Sequence, residues 1–255
     1  MSKNIQKYSS ILADARKKNK LIKPIPLKIF SSLKTAELIK SSAETKLGWT
    51  PIGFKIGATN KKIMKLLKAK KPFYSYLFKE KSFPSGSKIY LNHKVMGIEL
   101  ELLFKISKKI FDTNITNKKQ LYKYIKGVAP TIELVGLRQK LKKITNVKQA
   151  IIDFGLNILF IRTNKFERYK NFDLNFKTNV KNLVNDKIYY GHTKNILGNP
   201  INALYWLIKE LKKKKVSLKR DFLVSSGSTT PIIPIKKGDK FYGEILNLGK
   251  IKVNF

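Results

Sequence analysis

Apolar residues at helical spacing open the chain. Ile5, Tyr8, Ile11 and Leu12 share one face of a helix predicted over 4–18. Pro24 and Pro26 break the chain before a second helix, predicted over about 35–46. A strand is predicted through Phe54–Ile56, ended by Gly57, with Thr59 placed to cap a helix over 61–68. Residues 71–78 read as an aromatic loop, 84–87 as a turn and 88–91 as a strand. The clearest two-residue period is Gly97-Ile98-Glu99-Leu100-Glu101-Leu102-Leu103-Phe104, a half-buried strand with Ile98, Leu100 and Leu102 on one face and both carboxylates on the other. A short helix closing over 122–126 precedes a second strand, Val128–Gly136, which carries Glu133. Residues 163–187 are polar and poorly periodic, as strands joined by exposed loops would be. Asn199 and Pro200 open a helix as N-cap and first residue, and Leu204, Leu207, Ile208 and Leu211 form its buried face.

Composition narrows the class. The 255 residues suit one large domain, or a small part and a main one, and contain no cysteine, which excludes disulfides and thiolate metal sites. No apolar run has the length of a membrane span and the first residues lack a signal-peptide core, so a soluble cytoplasmic protein without a membrane partner is expected. A formal charge of +38 raises the alternative of a basic nucleic-acid-binding protein. Against it, the lysines are spread along the chain, and arginine occurs only at 16, 138, 162, 168 and 220. No nucleic-acid partner is therefore expected.

Two carboxylates on one strand face repel each other, and a cation between them relieves the repulsion. Glu99 and Glu101, with Glu133 from the second strand, would form an all-oxygen set suited to Mg²⁺ or Mn²⁺ with positions open to ligand. The alternative is a solvated strand face paired with lysines. Lys55, set between glycines and apolar residues, is a candidate acid or base with a pKa lowered by desolvation; it can equally be an edge-strand lysine reaching water. The small-residue loop Ser225–Pro231, with Ser225 and Gly227, can offer hydroxyls and backbone N–H groups to an acidic substrate.

Taken in order, Gly53-Phe54-Lys55-Ile56-Gly57-Ala58-Thr59, Glu99-Leu100-Glu101, Ile132-Glu133-Leu134-Val135-Gly136, Gly198-Asn199-Pro200, Asp221–Gly227 and Pro234–Asp239 resemble the 2-keto-4-pentenoate hydratases of the fumarylacetoacetate hydrolase superfamily. The resemblance runs from about Ile11 to Phe255. It implies an α+β fold: a mixed β-sandwich roll over 81–255 behind a small N-terminal helical α/β part over 1–80. It also implies Mg²⁺ or Mn²⁺ at Glu99, Glu101 and Glu133, a functional lysine at Lys55, and a homo-oligomer. Ala150–Asn157 is similar to the family's substrate-side Ala-Asp-Asn loop, which makes Asp153 and Asn157 candidate substrate contacts; Asp153 also suits a turn or cap. His93, near the acidic strand, reads as a turn residue outside any hydrolase-type motif. The implied activity is hydration of a 2-hydroxy-2,4-dienoate to a 4-hydroxy-2-oxo acid, in breakdown of aromatic or related compounds. Phe73 stands where many of these hydratases carry a loop carboxylate, in a pattern like Glu-Pro-Asp-Tyr-Gly. A 2-oxo-acid decarboxylase of the 4-oxalocrotonate type, or an acylpyruvate-type hydrolase, thus stays open as an alternative.

Overall fold

A computed structural model describes residues 3–92, 95–168 and 173–255. In chain order the elements are helices α1 (Lys3–Lys17) and α2 (Leu33–Leu47), strand β1 (Pro51–Gly57), helix α3 (Lys61–Leu66), strands β2 (Phe73–Phe78), β3 (Ser82–Pro84), β4 (Val95–Ile106) and β5 (Ile125–Gly136), and helix α4 (Val147–Ile152). Strands β6 (Asn157–Arg162), β7 (Lys177–Asn182) and β8 (Ile188–His192), helix α5 (Pro200–Lys213), and strands β9 (Phe222–Ser228), β10 (Lys240–Ile245) and β11 (Gly249–Asn254) complete it. The fold is α+β, with a seven-stranded sheet ordered β2-β1-β9-β4-β5-β6-β3 and a four-stranded sheet ordered β11-β10-β7-β8. The expected division at residue 80 falls between β2 and β3, the two edge strands of the larger sheet.

The alternation in β4 decides what lies on each face. Ile98, Leu100, Leu102 and Phe104 enter a core with Ile132 and Leu134 of β5, Leu204, Leu207, Ile208 and Leu211 of α5, and Val180, Phe241 and Ile251 of the second sheet. A second cluster joins Leu12 of α1, Ile39 of α2 and Ile151 of α4 to Phe73 and Phe78 of β2. Ends are set locally. The Ser32 hydroxyl accepts the Thr35 N–H at the start of α2, and Asn199 caps α5 with Pro200 in its first turn.

Helix α2 also closes the exposed edge of β2. Lys40 Nζ donates to the Tyr74 carbonyl at 2.6 Å, and Glu44 Oε1 accepts the Tyr76 N–H at 3.0 Å. These side chains take up main-chain groups that a further strand would otherwise bind.

Several sequence expectations need correction. Residues 73–78 are not a loop: Phe73–Phe78 pairs antiparallel with β1, so its aromatic residues are strand residues. The strand expected at 88–91 is a single bridge, Lys88 to Asn254, and the true strand β3 lies earlier, where its short run pairs in parallel with β6. Asn60, not Thr59, caps α3, accepting the Lys62 N–H at 2.8 Å. The short helix before β5 is a 3-10 helix over Lys118–Tyr124. His93 lies outside the described residues.

Candidate active site

The register of β4 against β5 sets Glu99 directly opposite Glu133 and Glu101 opposite Thr131. Glu101 faces Ser228 of β9 on its other side. One oxygen from each of Glu99, Glu101 and Glu133 lies within 4.8 Å of the other two. Glu101 and Glu133 are buried and Glu99 is half-buried. Burial, and then Glu133, push the Glu99 carboxyl up to about 7 against the opposing pull of Lys55. The same two causes push Glu101 well above the carboxylate range.

Lys55 lies on β1, two strands from β4. Its side chain is buried, with Nζ 2.9 Å from Glu133 Oε2 and donating to the Gly155 carbonyl at 3.0 Å. The expectation of a lowered pKa is overturned. Burial does act downward, but Glu133, Glu101 and Glu99 together outweigh it, and the ammonium is held above its ordinary value. The Gly155 carbonyl is presented by a left-handed turn in which Phe154, Gly155 and Leu156 all have positive φ. A side chain at Gly155 would crowd Phe73, Ser75 and the Lys55 stem.

The four polar residues expected to touch substrate are placed around the carboxylates and their supports. Ser225 Oγ donates to Glu101 Oε2 in a short bond, and the Gly227 N–H donates to the same oxygen at 3.2 Å. Gly227 has φ +112, and an added Cβ would stand 2.0 Å from Thr59 Oγ1, so only glycine turns this N–H inward. Asn157 Nδ2 donates to Glu133 Oε1 at 2.7 Å. Asp153 is fully buried, accepting from Arg138 Nη1 at 2.7 Å and from the Arg138 N–H at 2.9 Å. It also ends α4 as its C-cap, the role its alternative reading gave it. These contacts make the four residues supports of the charged centre.

Sequence reasoning missed Arg138 and Arg16. Arg138 bonds both Asp153 and the Asn157 carbonyl, and Arg16 Nη2 donates to Asn157 Oδ1 at 2.9 Å. A signal was present: the basic residues are overwhelmingly lysine, so an arginine marks a place where a planar, multidentate donor is needed.

A cavity of about 520 Å³ opens over Lys55, Glu99 and Glu101. Thr59, Asn60, Asn195, Ser228 and Thr230 give it polar groups, and Ala58, Ile63, Leu67, Phe73, Val135 and Leu156 an apolar wall. The donor set fits a hard divalent cation: all three groups are carboxylates, gathered in a single cluster, and buried Glu133 Oε2 meets the Lys55 ammonium at 2.9 Å.

Comparison with known proteins places this architecture. No family model matches the chain. It is 27% identical over 209 residues to the TodF product hydratase of Pseudomonas putida F1, covering 80% of this chain and 76% of that one. It is 24% identical over 219 residues to a 2-keto-4-pentenoate hydratase of Paraburkholderia xenovorans, covering 85% and 80%. The 4-oxalocrotonate decarboxylase of Pseudomonas putida G7, solved with magnesium and adipate, superposes with a TM-score of 0.87 at 18% identity, covering 100% of this chain and 98% of that one. The chain is thus similar to curated dienoate hydratases over about four fifths of its length. The Phe73 position has a structural setting: its ring packs over Gly57 and beside Gly155, at the cavity wall next to the Lys55 stem. No helix among the described residues is long and apolar enough to cross a membrane.

Proposed function

We propose that the protein is a metal-dependent hydratase that adds water to a 2-hydroxy-2,4-dienoate of the 2-oxopent-4-enoate type, giving a 4-hydroxy-2-oxo acid. The observation that carries this reading is the convergence of Glu99, Glu101 and Glu133 beside Lys55, where Lys55, Glu99 and Glu101 line an open cavity. The three carboxylates would hold Mg²⁺ or Mn²⁺. When bound, such an ion supplies Lewis-acid stabilisation of negative charge on the 2-oxygen and a fixed point for the substrate carboxylate. The residues do the rest. Ser225 and the Gly227 N–H hold Glu101, and Asn157 holds Glu133, so the carboxylates keep their spacing as substrate enters. Lys55 carries three N–H groups; one donates to Gly155 and another side faces Glu133, leaving a donor for the cavity. From there Nζ can bind the substrate carboxylate or hand a proton to C5. The net reaction adds one water across C4 and C5, hydroxyl to C4 and proton to C5, and moves the proton of the 2-hydroxyl to C3, which turns the enol into the 2-oxo acid. The apolar wall keeps other water from the dienoate chain.

Phe73 supports a second reading. With no carboxylate at this position, a 2-oxo-acid decarboxylase, which breaks a C–C bond and releases CO₂, would use the same electron sink. In either reading the substrate is a small 2-oxo or 2-hydroxydienoic acid, and the setting is cytoplasmic catabolism by a homo-oligomer. Purified protein with Mg²⁺ should consume 2-hydroxypenta-2,4-dienoate, followed by loss of its ultraviolet absorbance and appearance of the 4-hydroxy-2-oxo acid. CO₂ release from a vinylogous 2-oxo diacid without hydration would favour the second reading. No turnover of either class with Mg²⁺ or Mn²⁺ would reject both.

A further inference from the structure

Helix α1 lies outside the sheet, yet one of its side chains reaches the charged centre. Arg16 is buried at 3% exposure, and its Nη2 donates to Asn157 Oδ1, 141 residues away in sequence, at 2.9 Å. Its Nε and Nη1 have no hydrogen-bond partner among the described residues. They are held instead among aromatic rings: the guanidinium carbon is 4.5 Å from the ring centre of Phe154, 5.4 Å from that of Phe78 and 5.5 Å from that of Trp49. A cation so enclosed has little freedom, and its one hydrogen bond is aimed at a single amide.

That amide has two ends with opposite chemistry. A guanidinium only donates, so Asn157 must turn its oxygen toward Arg16. The –NH₂ is then left facing Glu133 Oε1, to which it donates at 2.7 Å. Were the amide reversed, oxygen would meet carboxylate oxygen and the contact would repel. Arg138 fixes the same residue from behind through the Asn157 carbonyl, but it does not touch the amide. Arg16 therefore locks the amide from its oxygen end in the orientation that the glutamate needs. We propose that Arg16 is a positioning residue for the metal centre, acting through the Asn157 amide to hold Glu133 Oε1 and so fix the orientation of the Glu133 carboxylate beside Glu99 and Glu101. The proposal rests on the reading of Glu99, Glu101 and Glu133 as metal ligands.

The test is a double-mutant cycle read by calorimetric titration of metal-free protein with MgCl₂, without substrate. Arg16→Met should weaken Mg²⁺ binding about tenfold, the lower range for loss of a group that orients a ligand. Asn157→Leu should weaken it by a similar factor, and the double variant should bind no worse than Asn157→Leu alone. Arg16→Lys keeps the charge and most of the packing, so it serves if Arg16→Met does not fold; lacking the planar Nη2, it too should bind several-fold more weakly. Parental affinity in whichever of the two Arg16 variants folds, with a lowered melting temperature only, would make Arg16 a packing residue and overturn the proposal. Fully additive losses in the cycle would overturn it as well, because the two residues would then act separately. If the parent itself takes up neither Mg²⁺ nor Mn²⁺, the metal reading fails and the proposal with it; if the parent binds and the variants bind equally, only the proposal fails.

Discussion

Two buried charged clusters flank the β1–β2 edge of the large sheet, and they are balanced differently. On one side Glu99, Glu101 and Glu133 gather at the Lys55 ammonium, which among the described residues pairs with Glu133. On the other, Lys40 and Glu44 of α2 stand one to one, 3.7 Å apart, and each also takes a main-chain group of β2. Charge matched in place serves the fold, because every buried group has its partner before any ligand arrives. Charge left unmatched raises the energy of the metal-free protein and lowers it again when a cation binds. The contrast separates residues that hold the sheet from residues kept under electrostatic tension for chemistry.

The largest effect should come from relieving that tension directly. Glu101→Gln removes a carboxylate whose hydrogen bonds from Ser225 and Gly227 aim it at the centre, and turnover should fall about 10²–10³-fold, the scale of losing one preorganised electrostatic group. Its metal-free form should melt at the same or a higher temperature, since like charges no longer repel. A much lower melting temperature would show Glu101 to be a structural partner and dissolve the contrast.

The matched cluster should respond in the opposite sense. Lys40→Met leaves Glu44 buried with its partner gone and the Tyr74 carbonyl without its donor, so stability in urea should drop by about 3 kcal/mol. Turnover per folded molecule should not change. A large loss of turnover with stability intact would mean that this cluster also serves the reaction.

A smaller effect is a pH dependence. Glu99 is raised to about 7 from its ordinary 4.5, so the metal-free folded state binds more protons than the unfolded chain between those values. Stability of the metal-free protein should therefore rise as pH falls from above 7 toward 4.5. Cation binding needs the ionised carboxylate, so the rise in melting temperature caused by Mg²⁺ should be larger at pH 8 than at pH 6. A Mg²⁺ effect independent of pH across this span would remove Glu99 from the ligand set.

The sequence showed these carboxylates because their signal is local. Glu99 and Glu101 sit two apart in an alternating run, and a strand must put them on one side. Glu133 was legible as a lone carboxylate in a second apolar strand, though nothing local fixes that it pairs opposite Glu99. The surroundings of the four expected substrate contacts were not legible for the same reason. Asp153 lies in a turn, Asn157 at the start of β6, and Ser225 and Gly227 within β9, and only three-dimensional neighbours decide what each touches. The direction of the Lys55 shift was a question of magnitude: its setting is desolvating, but three acids from β4 and β5 outweigh that. Residues 73–78 hid a strand because an aromatic cluster after a proline reads as a loop until β1 is seen to pair with it.

The position of β9 has a consequence for how the protein is made. This strand, Phe222–Ser228, is inserted between β1 and β4, pairing in parallel with one and antiparallel with the other. Synthesis therefore delivers the two neighbours long before the strand that joins them. While the ribosome is still adding α5, β1 and β4 each present an open hydrogen-bonding edge, and the β4 edge belongs to a strand whose other face is wholly apolar. The nascent chain must keep that gap from closing on itself or on another copy until residue 228 emerges. Because β9 also brings Ser225 and Gly227, the step that seals the sheet is the step that aims Glu101.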